Sequence, residues 1–131
     1  MLNTIYSQLI AKLYFLLLDS VESGGNVIIY LKGTGDPPRE FRGFLLQALD
    51  DGGNHVGNFS FDAAQKAECL KCGSDNTCDS VTHKNTSLKS KVVATWTSPS
   101  SFTGTIYFRY TIVTEYVEYW VALEGPTLIV E

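Results

Sequence analysis

Three cysteines and a histidine, Cys69, Cys72, Cys78 and His83, stand at the spacing C-x2-C-x5-C-x4-H. Thiolate and imidazole donors this close together can build a tetrahedral zinc site, although this is not one of the common spacings. The same thiols read as disulfide partners in an oxidising compartment, and three of them leave one over to pair with another chain. His83 also has Asp79, Ser80 and Thr82 as near neighbours, the residue types of a nucleophilic hydrolase. That chemistry needs a base within hydrogen-bond reach of the nucleophile and a third group orienting the base. Adjacent residues on a strand point to opposite faces, so order along the chain does not assemble such a site. His83 therefore reads as a structural histidine bonding backbone at the end of a strand, and His55 as an exposed residue in a glycine-rich turn. The chain carries no HExxH, GxSxG or glycine-rich phosphate loop. The expectation is a protein that is not an enzyme and that uses no cofactor and no catalytic metal.

Charge offers a second kind of chemistry. The formal net charge of −4 argues against a general nucleic-acid binder, which needs a basic footprint. Lys84, Lys89 and Lys91 nevertheless cluster beside His83 and are the candidate contact for an anionic glycan or a phosphate-bearing surface. The competing reading is a solvated edge whose lysines discourage strand-to-strand aggregation. Two sequons, Asn58-Phe59-Ser60 and Asn85-Thr86-Ser87, fall beside turn signals and make Asn58 and Asn85 candidates for N-glycosylation. With the cysteines they point to an extracellular location.

The elements that must hold these residues read as short strands. The chain has 131 residues, 44% hydrophobic and 18% charged, which fits one globular domain with a core. Turn signals recur, among them "ESGGN", "KGTGDPP", "DDGGNHVGN", "SPSSFTG" and "LEGP", and between them lie runs rich in β-branched and aromatic residues. Strands are expected over Val27–Leu31, Phe41–Leu49 and the short "NFSF". In "KVVATW", Val92, Ala94 and Trp96 share one face. In "TIYFRYTIV", Ile106, Phe108, Tyr110 and Ile112 point inward, while "VEYWVAL" and "TLIV" finish the chain. A short helix is expected around Ala63–Leu70. The apolar run Leu9–Leu18 is too short for a bilayer-spanning helix, which needs about 20 residues. It reads as a first strand over Tyr14–Leu18, with residues 1–13 a divergent leader or the remnant of a signal segment. The pattern predicts an all-β fold, an antiparallel sandwich of about seven to nine strands.

Taken in order, "SGGNVIIYLKG", "FRGFLLQA", a cysteine-containing loop, "VTHKN", "KVVATWTSP" and "GTIYFRYTIV" followed by "EYW" resemble the reeler (reelin-type) domain, in particular the small secreted insect-type defence proteins built from one such domain. The likeness runs from Tyr14 to Val130, and its most specific parts are Phe41–Leu46, Thr82-His83, and Trp96 with Pro99 and Gly104. It implies an immunoglobulin-like sandwich, residues 14–131 as the domain, and a secreted recognition or adhesion module without catalytic apparatus. Phe44, His83, Trp96 and Phe108 are its expected structural residues. Its expected partners are microbial surface glycans or glycosaminoglycans, with no nucleic acid and no membrane span in this chain. A monomer is expected, or a disulfide-linked dimer through the odd cysteine. Reeler domains also head ferric-chelate-reductase-like membrane proteins, so an N-terminal extracellular domain of such a protein is the alternative. The chain departs from the family at its start, which lacks the usual cysteine, and in its loop, which has three. A local Cys72–Cys78 or Cys69–Cys78 bridge is then open.

Overall fold

The computed structural model describes residues 11–15, 20–71, 77–115 and 118–131. Among them, ten strands form two sheets: β1 (Ala11–Tyr14), β2 (Ser20–Val21), β3 (Asn26–Gly33), β4 (Gly43–Leu49), β5 (Asn58–Ser60), β6 (Ala67–Leu70), β7 (Ser80–His83), β8 (Lys91–Thr97), β9 (Gly104–Glu115) and β10 (Glu118–Val130). One sheet runs in the order β1-β3-β8-β5 and the other β2-β10-β9-β4-β7-β6. Pairing is antiparallel throughout except for β2, which lies parallel to the end of β10. The all-β sandwich expected from the sequence is the observed architecture.

Alternation decides which faces meet. Val92, Ala94 and Trp96 of β8 and Val27, Ile29 and Leu31 of β3 turn inward from the smaller sheet. Phe44, Leu46 and Ala48 of β4 and Ile106, Phe108, Tyr110 and Ile112 of β9 meet them from the larger. Trp96 and Phe108 are both fully buried and pack edge to face, ring centroids 5.7 Å apart at 89°, the geometry that the aromatic quadrupole favours. The indole N–H donates to the Val56 carbonyl at 3.0 Å, so the ring's one polar atom is satisfied. Gly57 lies against the indole so closely that a Cβ there would fall 2.4 Å from it, and its φ of +84° is itself a glycine conformation.

Three local expectations are corrected. The helix expected over Ala63–Leu70 is a single 3-10 turn, Ala63–Gln65, capped by the Asp62 side chain and ended by Lys66 at φ 53°. The remainder, "AECL", is edge strand β6, because pairing with β7 satisfies its backbone and leaves three of its four residues exposed. The turn expected at "LEGP" is a register irregularity inside one continuous β10, between Glu124 and Thr127. Pro126 has no N–H to give to a ladder, which suits it to a bulge. The first strand begins earlier than expected. Ala11 and Leu13, assigned above to the leader, are 0% and 6% exposed in β1, and residues 16–18 of the expected strand lie outside the described residues.

Candidate functional site

Cys69 and Cys78 are joined by a disulfide, their Cα atoms 5.2 Å apart. The bond takes two thiolates out of the four-ligand set, which rules out the zinc arrangement in this form. Cys72, the remaining cysteine of the sequence, lies outside the described residues. The bridge closes a short loop between edge strand β6 and the segment entering β7. Cys78 also reaches the other sheet: its N–H donates to Asn58 Oδ1 at 3.0 Å and its carbonyl accepts from the Phe59 N–H at 2.7 Å. The disulfide thus fastens the rim where β5 of one sheet meets β6 and β7 of the other.

His83 sits at the end of β7 with Nδ1 3.1 Å from the Phe44 nitrogen and 3.2 Å from the Phe44 carbonyl oxygen. Thr82 Oγ1 donates to that same carbonyl at 3.1 Å. The imidazole covers Gly43, where a Cβ would lie 2.8 Å from its Cε1, so the glycine inside β4 is required by the ring's close approach. The histidine nearest to a serine and an aspartate is His55. Its Nδ1 is 3.4 Å from Ser80 Oγ and 3.9 Å from Asp79 Oδ1. Both partners address one ring nitrogen, whereas a catalytic triad needs the base's two nitrogens divided between nucleophile and orienting carboxylate. Ser80 is fully buried and Asp79 2% exposed, so this trio does not present a nucleophile to a substrate. Its effect is to set a polar partner beside a buried carboxylate.

The expected basic cluster of Lys84, Lys89 and Lys91 does not form one surface. Lys89 is 6% exposed, and its ammonium donates to the carbonyls of Arg42 (2.6 Å), Ser87 (2.7 Å) and Asn85 (2.9 Å). Burial, followed by the charges of Lys66 and Arg42, pushes its pKa below the ordinary lysine value. Lys89 therefore holds the loop before β8 against the start of β4, and its charge is withdrawn from any ligand. Lys84 and Lys91 are exposed.

The register assembles a different group. Lys12 of β1 pairs directly with Lys32 of β3, and Lys32 with Lys91 of β8. All three are exposed. Neighbouring strands lie about 4.8 Å apart, so the row spans roughly 10 Å. Like charges directly opposite one another destabilise a sheet, yet the outward positions of β1, β3, β8 and β5 include no aspartate or glutamate to offset them. The next outward row, one step along the strands, is Tyr14, Tyr30 and Val93. The two phenol rings stack, centroids 5.4 Å apart and 17° from parallel. Ile28, 47% exposed, follows in the row beyond. Parity along each strand signals that Lys32 shares a face with Ile28 and Tyr30, and Lys91 one with Val93. The juxtaposition itself depends on pairing across 20 and 59 residues and leaves no local motif.

The two sequons differ. Asn85 is exposed, and its Oδ1 accepts from the Ser87 N–H at 3.1 Å and the Ser87 hydroxyl at 2.5 Å. Asn58 is exposed on β5 with its Oδ1 held by Cys78. Beside it Gly57, Thr77, Thr97, Ser98 and Pro99 line a cavity of about 300 Å³.

Comparison with known proteins gives the chain its family. The family model described as the Reeler domain matches residues 15–131. "Putative defense protein 3" of Antheraea mylitta is 33% identical over 113 residues, 86% of this chain and 66% of that protein. "Ferric-chelate reductase 1" of Bos taurus is 33% identical over 108 residues, 80% of this chain but 17% of its own length. This chain thus spans about two thirds of the first relative and about a sixth of the second. The solved reeler domain of human F-spondin superposes with a TM-score of 0.75 over 92% of this chain and 88% of that one, at 21% identity, a likeness of fold. No helix among the described residues is long and apolar enough to cross a membrane. On the match of the family model over residues 15–131, this chain belongs to the reeler domain family.

Proposed function

We propose that this reeler domain is an extracellular recognition module of the defence type, which binds anionic surface glycans, microbial or host, without chemical turnover. The single observation that supports it is the Lys12–Lys32–Lys91 row on a sheet face without a carboxylate. A chain of net charge −4 that sets three exposed lysines at directly paired strand positions accepts a stability penalty that a polyanion would relieve. The disulfide favours an oxidising compartment, and Asn85 offers an exposed carboxamide for a glycan. The test is binding to lipoteichoic acid and to a glycosaminoglycan at rising salt. A three-lysine contact with a dense polyanion gives a log–log salt slope of roughly −2 to −3. Absence of binding to either polymer at low salt would remove the reading.

The reductase relatives support a second reading, in which the domain is the extracellular head of a ferric-chelate-reductase-like membrane protein. The transcript decides it: haem-ligand and membrane-spanning sequence downstream of Glu131 establishes the larger protein.

A further inference from the structure

The lysine row and the tyrosine stack are consecutive rows on one face of one sheet. Resting on the glycan reading above, we propose that they form a single composite site for an acidic saccharide, in which the row takes the charged groups and the Tyr14 ring takes the sugar ring beside them. Three observations carry this. The five side chains come from adjacent, register-matched positions on β1, β3 and β8, so their relative placement is fixed by the ladder. Among the described residues β1 is the edge strand of its sheet, so one face of the Tyr14 ring packs on Tyr30 and no described strand of that sheet lies beyond the other. Among the described residues neither phenol hydroxyl nor any of the three ammoniums makes a hydrogen bond or ion pair with another, and all three lysines are exposed.

These properties select a ligand class. The negative face of an aromatic ring attracts the polarised C–H face of a sugar, and the Tyr14–Tyr30 stack already orders the ring, which lowers the entropy lost on binding. A ring-bearing polymer with sulfate or carboxylate groups uses both rows. A ring-free polyphosphate uses only the lysines. A bilayer surface would use the lysines and Ile28 but would not need a sugar-facing ring. Lys12 and Tyr14 both precede residue 15, where the match to the family model begins, so this half of the site is contributed by sequence outside that match.

The experiment compares three probes: a heparin-derived tetrasaccharide, inorganic polyphosphate, and phosphatidylcholine vesicles doped with phosphatidylglycerol. Tyr14→Thr removes the ring while keeping strand propensity, and a Lys12→Gln/Lys32→Gln/Lys91→Gln triple variant removes the charge. A thermal melt checks that each is folded, and Tyr14→Val, which also removes the ring, serves where Tyr14→Thr is not. Tyr14→Thr is expected to weaken tetrasaccharide binding by about three- to tenfold and to leave polyphosphate unchanged, while the triple variant weakens both. Where Tyr14→Val must be used, it is expected to weaken the tetrasaccharide alone. Binding that falls with the triple variant but ignores the Tyr14 variants overturns the composite site and leaves the glycan reading standing. Preference for polyphosphate or for vesicles over the tetrasaccharide overturns it as well. Failure to bind any saccharide at low salt defeats the glycan reading itself.

Discussion

Lys89 shows how far a side chain's position can change its chemical meaning. In the sequence it stands between two exposed lysines, and nothing local separates it from them. In the fold its stem passes inward and its ammonium meets three backbone carbonyls. Lys89→Ala leaves those carbonyls without their donor, and a loss of about 2–3 kcal/mol is expected in urea unfolding. The same site gives a pH signature. Its pKa is lowered in the folded state, so in the alkaline window between that value and the ordinary 10.5 the unfolded chain holds more protons than the folded one. Stability from this group therefore rises with pH through that window, and the slope is absent in Lys89→Met. Gly57 is another residue whose role is set by a neighbour. Gly57→Ala meets both a left-handed backbone and the Trp96 ring, so a loss of at least about 2 kcal/mol is expected from the same measurement.

At the scale of elements, strands with strict alternation were the legible ones. β8 and β9 place Trp96 and Phe108 on inward positions by parity alone, and the structure buries both. The segment Ala63–Leu70 misled because alanine, glutamate and leucine favour a helix, and only tertiary pairing with β7 turns "AECL" into an edge. The lysine row was illegible for the same reason: Lys12 joins it only if β1 is a strand in that register, and the sequence put the strand a few residues later. The row should also betray itself energetically. The Lys12→Gln/Lys32→Gln/Lys91→Gln variant removes two directly opposed like-charge pairs. It is expected to raise stability by about 0.5–1 kcal/mol in a thermal or urea melt even as it weakens polyanion binding. A fall in stability would mean that the lysines serve the fold. Breaking the bridge has the opposite sign. Cys69→Ser or Cys78→Ser is expected to cost about 2–4 kcal/mol, and the intact chain should weigh two hydrogens less per bridge under non-reducing mass spectrometry.

Across the whole molecule, the two sheets are held by the interlocking rings at the centre, by Cys78 at one rim and by β1 at the edge. β1 belongs to one sheet through its ladder with β3. It also contacts the other, where the Tyr110 hydroxyl donates to the Ala11 carbonyl at 3.3 Å and Leu13 fills the space that a side chain on Gly125 would take. This last contact gives the irregularity in β10 a purpose that its Gly-Pro sequence alone did not reveal. The strand that seals the edge is therefore also the one that supplies an ammonium and an aromatic ring to the proposed site. Trimming the chain as far as Phe15 would disarm the surface in a single cut, subtracting both ligand groups and unsealing Leu13 from its notch. A variant lacking residues 1–15 is therefore expected to show a simultaneous drop in melting temperature and in polymer capture.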